Sequence, residues 1–209
     1  MEKRLLAVAV AVLLSGCGDT ESDTPPPEPA APAGVYGQAP AAQGGIPSVI
    51  TLESLAVAPP MEGETPSETI MDQLAIAFSP TELLVQVGTT VQFQNSEVVP
   101  HNVQVTSMAR DSMIFDEDTL LGETRSFTFD EEGAYDVKCN VHPGMIAFIF
   151  VTAAPYAVLA DKQGAFELTG VPAGDYTLKV WSVDEDAGSE QTIVKAEGAS
   201  TEVTLPPAV

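Results

Sequence analysis

The sequence predicts an all-β protein: a Greek-key β-sandwich followed by a second, smaller β-sandwich, the two preceded by a disordered linker. Three observations predict it. From residue 72 onward, short segments alternate apolar and polar residues and are separated by Gly, Asn and Pro. No helical period persists there for three turns. Ahead of that region, residues 17–71 are rich in Pro, Ala, Gly, Ser and acid, as in Pro25-Pro26-Pro27-Glu28-Pro29, a composition that suits a tether rather than a core.

The chain opens with Met1-Glu2-Lys3-Arg4, continues through an apolar run from Leu5 to Leu14, and reaches Ser15-Gly16-Cys17. The run is too short to span a bilayer, and a basic start, apolar centre and small-residue end read as an export signal over 1–16. Leu14-Ser15-Gly16-Cys17 resembles the bacterial lipobox. That resemblance implies cleavage before Cys17 and diacylglycerol on its sulfur. With Gly18 next, it also implies a cell-envelope protein anchored in the outer membrane and facing the periplasm. About 50 flexible residues beyond the anchor give a reach on the order of 40 Å. The stretch 46–57 is more apolar and is compatible with a docking strand.

In the first sandwich, placed over 72–153, strands are expected at 74–78, 83–87, 90–94, 102–106, 125–129, 134–139 and 145–152. Between 107 and 122 the alternation fails, and a loop with a short strand around 113–115 is expected. Gly133-Ala134-Tyr135 has the form of a tyrosine corner, a hydroxyl bonded back to the backbone of a sandwich connection. The second sandwich, over 154–209, has expected strands at 156–160, 165–168, 176–181, 191–195 and 201–205. At about 55 residues it is near the lower size limit for folding alone and is expected to pack on the first. The two regions share no evident motif.

Charge is uneven. The eight Lys and Arg leave none between residues 5 and 109, and the net charge is -22. Such a surface repels nucleic acid and anionic head groups and steers toward a basic partner; a general adaptation to solubility or salt would give the same composition.

Metal-binding side chains are few enough to enumerate. Histidine occurs only at 101 and 142, cysteine only at 17 and 139. With Cys17 lipidated, one thiol remains and no intramolecular disulfide is possible. The run Cys139-Asn140-Val141-His142-Pro143-Gly144-Met145 sets a thiolate, an imidazole and a thioether three residues apart, so one tight loop can aim all three at a point. His101 lies between two expected strands, and loops at one end of a sandwich converge. Two His, one Cys and a weak Met suit a trigonal copper site for electron transfer. Zinc also takes Cys and His, but its structural sites normally use two or more thiolates or close ligand pairs on both sides. Singly, each residue reads as ordinary packing; jointly, both histidines and the only free cysteine fall at one place. Met145 also opens an apolar strand, where methionine serves as core.

Phe93-Gln94-Asn95 through Pro100-His101-Asn102-Val103, then Gly133-x-Tyr135-x-x-x-Cys139-x-x-His142-x-x-Met145, resembles the blue copper proteins of the plastocyanin, pseudoazurin and amicyanin group, the cupredoxins. The short interval from His142 to Met145 is similar to amicyanin. The resemblance implies one mononuclear Cu(I)/Cu(II) site with Cys139 as dominant ligand, His101 and His142 completing a trigonal plane, and Met145 axial. It also implies that Asn102 ties the ligand loops together beside Asn140. The edge of His142 would then be an electron portal within an apolar patch of Val99, Pro100, Val141 and Pro143. The tail, with Val171-Pro172-Ala173-Gly174-x-Tyr176 and Trp181, resembles carboxypeptidase regulatory-like, transthyretin-type modules. Ser182 stands where similar fusions are expected to have histidine, and Trp181 is expected in the core.

The function these readings imply is a membrane-anchored carrier of single electrons, its partner a basic cytochrome c or another redox protein. Multicopper oxidases and copper nitrite reductases need further histidines that this chain lacks, and a catalytic triad has no third histidine, so an enzyme is not expected. Two alternatives stay open at this level: copper delivery or storage, against which Met61, Met71, Met108 and Met113 are scattered rather than clustered, and a non-redox interaction module, against which all four ligands are retained.

Overall fold

The computed structural model describes residues 34–55, 68–183, 189–195 and 199–205, so the expected export signal and Cys17 lie outside the described residues. Regular structure among these residues is entirely β. In chain order the strands are β1 (Gly34–Gln38), β2 (Val49–Ser54), β3 (Glu68–Leu74), β4 (Ala77–Ser79), β5 (Glu82–Gln86), β6 (Thr89–Asn95), β7 (His101–Ser107) and β8 (Ser112–Thr119). They continue as β9 (Thr124–Phe129), β10 (Gly133–Lys138), β11 (Ile146–Thr152), β12 (Tyr156–Leu159), β13 (Ala165–Thr169), β14 (Gly174–Trp181), β15 (Ser189–Lys195) and β16 (Thr201–Thr204).

The first sandwich pairs a sheet ordered β4-β3-β6-β9 with one ordered β5-β11-β10-β7-β8. β3 runs parallel to β6 and β5 parallel to β11, while the other neighbours are antiparallel, as a Greek key requires. Alternation drives the strands: in β6, Val91 and Phe93 are buried between half-exposed Thr90, Gln92 and Gln94. These join Met71, Val103, Val105, Phe129, Val137 and Ile149 in one core. An aromatic file crosses it, Phe93–Phe115 at 5.9 Å between centroids, then Phe115–Phe127 at 5.3 Å, Phe127–Phe129 at 5.0 Å and Phe129–Tyr135 at 5.1 Å. Each such pair adds about 0.5–1.5 kcal/mol beyond its buried area.

Two expectations change here. The strand expected at 74–78 is a hairpin: β3 ends at Leu74, Ala75 and Ile76 turn with φ of 56° and 54°, and β4 returns. Neither turn residue is Gly or Asn, so nothing in the sequence marks it. The expected loop over 107–122 contains the eight-residue strand β8, paired with β7 around a bulge at Val105/Thr106. Its run Asp116-Glu117-Asp118 hides the alternation, because an edge strand needs few apolar residues.

The larger correction concerns the linker. β1 lies between β13 and β16 in one sheet, and β2 lies between β12 and β14 in the facing sheet β12-β2-β14-β15. Residues 34–54, expected within a 17–71 tether, therefore supply the centre of both sheets of the second sandwich. Residues 154–209 do not form that sandwich alone, and the first sandwich is inserted into it. β2 shows the reason directly, with Ile50 and Leu52 fully buried. β1 is less legible because Gly37 reads as linker. Its missing side chain is a packing requirement: a Cβ there would lie 2.5 Å from the Val203 carbonyl oxygen and 3.1 Å from the Phe166 ring.

The sandwiches meet through Val49, Ala134 and Phe150, with Leu84, Met108, Phe148 and Trp181 packed around them. Trp181 sits at this join rather than within the core of the second sandwich. Both sandwiches also carry the same Gly-x-Tyr corner. Tyr135 donates to the Glu131 carbonyl at 2.8 Å, and Tyr176 donates to the Pro172 carbonyl at 3.1 Å. The absence of a shared motif does not hold at this level.

Candidate metal centre

Two loops at one end of the first sandwich build the centre. Cys139 follows β10, and the turn closes on itself: the Cys139 amide donates to the Met145 carbonyl at 3.1 Å and the Met145 amide to the His142 carbonyl at 3.2 Å. Gly144, with φ of 93°, makes the return possible. The second loop joins β6 to β7. Its scaffold is buried Asn95, whose Nδ2 donates to the carbonyls of Val99 at 3.0 Å and Thr119 at 3.1 Å and whose Oδ1 accepts from the Glu97 amide at 2.8 Å. His101 is the first residue of β7 and is 1% exposed.

These loops bring three ligand atoms together. Cys139 Sγ lies 3.8 Å from His101 Nδ1 and 3.7 Å from His142 Nδ1, and the two Nδ1 atoms are 3.1 Å apart. A triangle of those edges has its centre about 2 Å from each corner, the length of a metal–nitrogen bond and slightly under that of a metal–sulfur bond. One soft thiolate and two imidazoles converging from a rigid β frame fit a single copper ion. Among the described residues these three are the only His, Cys, Asp and Glu side chains gathered as a metal-binding group. Met145 is 2% exposed and packs in the same core as Cys139.

The surrounding polar groups differ in part from expectation. Asn102 joins the ligand loops through its backbone, its amide donating to Cys139 Sγ at 3.4 Å, while its side-chain Nδ2 turns to Asp116 Oδ1 at 2.8 Å and Asp118 Oδ1 at 3.2 Å. Asn140 is exposed and lines a groove with Asn102, Asp116, Asp118 and Val141. Sequence reasoning missed Glu97, whose Oε2 lies 2.9 Å from His101 Nε2. Its four-residue spacing from His101 is the one available signal. It also missed Gln73, fully buried, which accepts from Thr119 Oγ1 at 2.6 Å and joins β3 to this end of the sheet. Partial burial pushes the Glu97 carboxyl up, but the hydrogen bond with His101 and the amides of Ile76 and Ala75 outweigh it and hold it below the usual carboxylate range.

His142 is half-buried, whereas His101 and Cys139 are enclosed. Of the four residues assigned to its apolar rim, Pro100, Val141 and Pro143 are exposed and Val99 is half-buried with its carbonyl held by Asn95; the neighbouring Val98 is 85% exposed.

A two-sheet Greek key with a His-Cys-His triangle at one pole defines a mononuclear copper protein, and comparison with known proteins agrees. Residues 66–152 match the model of copper binding proteins of the plastocyanin/azurin family. Over 80 residues the chain is 35% identical to plastocyanin of Daucus carota, covering 35% of this chain and 82% of that protein. Over 77 residues it is 34% identical to amicyanin of Paracoccus denitrificans, covering 36% of this chain and 59% of that one. The chain spans 54% of the amicyanin of Paracoccus versutus, to which it is 37% identical. Among solved structures, a reduced amicyanin variant is similar at 29% identity, with 44% of this chain and 87% of that chain covered and a TM-score of 0.38. A purple cupredoxin from Nitrosopumilus maritimus is similar at 29% identity, with 41% and 99% covered and a TM-score of 0.35. The chain belongs to the plastocyanin/azurin family of copper-binding proteins, the cupredoxins, whose members hold one mononuclear copper and transfer electrons.

Proposed function

We propose that this chain is a lipid-anchored blue copper protein of the bacterial cell envelope that carries single electrons between periplasmic redox partners. The observation that carries the reading is the contrast among the ligands: Cys139 and His101 are enclosed while His142 reaches the surface, so one imidazole edge offers an electron path and the ion stays shielded. The β frame that holds Cys139, His101 and His142 would keep the ligand triangle nearly constant for either oxidation state of a bound copper, which suits one-electron chemistry. An enclosed thiolate favours this over copper delivery, which requires the ion to leave.

Met145 would hold the copper as a fourth, weaker thioether ligand. That role rests on its burial beside Cys139 and on the closed 139–145 turn. The docking surface is assigned to the exposed apolar residues Val98, Pro100, Val141 and Pro143; at Val141 it adjoins a groove lined by Asp116, Glu117 and Asp118 with one cation, Arg125, a net acidic border that suits a small basic partner such as a cytochrome c. The anchor is assigned to Cys17 on the lipobox resemblance, with the outer membrane as its place. The second sandwich serves as a non-catalytic packing module of the carboxypeptidase regulatory-like kind.

Addition of Cu(II) to the chain lacking its signal tests the copper assignment: an intense visible thiolate-to-copper band is expected, and Cys139→Ala removes it. Absence of the band, or an unchanged spectrum in the variant, sinks the assignment. Rapid reversible reduction is expected of a carrier, and one-way loss of copper to a chelating acceptor would indicate delivery. Cys17→Ser in the full chain is expected to move the protein from the membrane to the soluble fraction.

A further inference from the structure

We propose that the crevice between the two sandwiches is a binding site for a small organic cation with a flat apolar body, such as an amidinium or guanidinium on an aromatic ring. None of the residues that form it is a copper ligand, so the site stands independently of the metal centre.

Period-two alternation builds the crevice. Ile50 and Leu52 of β2 and Leu178 and Val180 of β14 turn into the core of the second sandwich, which leaves Val49, Thr51 and Glu53 on the other face with Lys179 and Trp181. The register sets Lys179 beside Thr51 and Trp181 beside Val49. Ala134 and Phe150, paired across β10 and β11, form the facing wall. The space between is about 600 Å³, a size that takes small molecules, and a join between domains is where such sites recur.

The lining combines an aromatic floor with an acidic border. Trp181 and Phe150 meet there, and the polarisable side chain of Met108 lines the crevice beside them. Lys179 Nζ donates to both carboxylate oxygens of Glu53, at 2.8 and 2.9 Å, so those two charges cancel. Glu132 differs. Its Oε1 accepts from the Ala153 amide at 2.6 Å and from Thr152 Oγ1 at 3.4 Å, which pins the carboxylate, yet it joins no ion pair among the described residues. Two carboxylates and one ammonium leave the lining net negative, in a chain whose net charge is -22. Such a field repels anions and attracts cations, and an indole face favours a cation as well.

Ser182 is the second, independent sign of a ligand. It is 4% exposed, it lines the same crevice, and its Oγ is buried without a hydrogen-bond partner. Buried hydroxyls are ordinarily paired, so an orphan in the wall of a cavity marks where a ligand N–H completes the bond. An aromatic amidinium matches all three features: a flat ring for Trp181, a charge for Glu132 and N–H donors for Ser182.

Trp181 is the only tryptophan in the chain, so its fluorescence reports on this crevice alone. The full chain is titrated with benzamidinium, benzamide and benzoate, three probes of one shape and different charge. Benzamidinium is expected to change the emission saturably, with benzamide about tenfold weaker and benzoate without effect. Glu132→Gln keeps an acceptor for the Ala153 amide but removes the charge, and it is expected to weaken benzamidinium about tenfold while leaving benzamide unchanged. Ser182→Ala is expected to weaken benzamidinium without lowering the melting temperature of the ligand-free chain, because the hydroxyl bonds nothing there. No saturable response to benzamidinium, or equal responses to all three probes, overturns the proposal. So does wild-type affinity in both variants. The indole N–H shift of Trp181 in the wild type, followed by NMR under the same titration, needs no variant: if it stays fixed, the site is overturned even where a variant fails to fold.

Discussion

Phe150 of the first sandwich and Trp181 of the second face one another with ring centroids 5.4 Å apart and planes inclined at 58°. Phe150 is 2% exposed, so much of its burial comes from the neighbouring sandwich. Phe150→Ala is expected to cost about 3–5 kcal/mol, as for other large-to-small changes at buried aromatics. Denaturant unfolding followed by Trp181 fluorescence measures it. A loss under about 1 kcal/mol would mean that the join contributes little.

Gly37 separates a tether from a strand. In a flexible tether Gly37→Ala would be silent, but in β1 the new Cβ meets the Val203 carbonyl oxygen at 2.5 Å. Overpacking of this kind costs about 1–3 kcal/mol. Calorimetry is expected to show the second sandwich melting at lower temperature while the visible copper band is unchanged. Wild-type melting of Gly37→Ala would contradict the placement of β1.

Met145→Leu distinguishes an axial ligand from plain packing. The exchange conserves volume and costs under about 1.5 kcal/mol in the core. If the thioether contacts copper, its removal weakens Cu(II) more than Cu(I) and the midpoint potential rises while the band persists. An unchanged potential assigns Met145 to the core alone.

The two tyrosine corners make a prediction at alkaline pH. Burial, then the charge of Glu131, raises the Tyr135 phenol above its ordinary value; burial, then Tyr156, does the same for Tyr176. Both folded values are raised, so the folded state favours the neutral, protonated phenol. The associated stability is complete below the ordinary tyrosine value of 10.0 and is lost as pH rises through the folded values. Melting temperature is expected to fall in that window. Tyr135→Phe should flatten part of the fall and cost about 1 kcal/mol at neutral pH through the lost bond to Glu131. A melting temperature independent of pH there would contradict the corners as described.

Much of the centre is legible in the chain because its chemistry is scarce. Two histidines and one free cysteine leave no other trio, and the three-residue spacing of Cys139, His142 and Met145 needs only one turn to converge. The Greek-key class is legible for a similar reason, since alternation such as that of Val91 and Phe93 is a local property with a period of two. Tyr135 is recognisable as a corner from its Gly-x-Tyr context, and the same three-residue pattern at Tyr176 carries the same geometry.

Contacts between distant residues decide the rest. Glu97 meets the Ile76 amide across 21 positions, and Gln73 meets Thr119 across 46 positions, with no local pattern to announce either. Gly34–Gln38 becomes a strand because β13 and β16 hydrogen-bond it on both sides, which supplies what its own residues lack. The sequence by itself determined the ligand set and the β class, because residue chemistry and period-two alternation are written locally. Only the tertiary structure decided which strands complete which sheet and which carboxylate stands behind His101, because those depend on backbone pairing and packing between segments far apart in the chain.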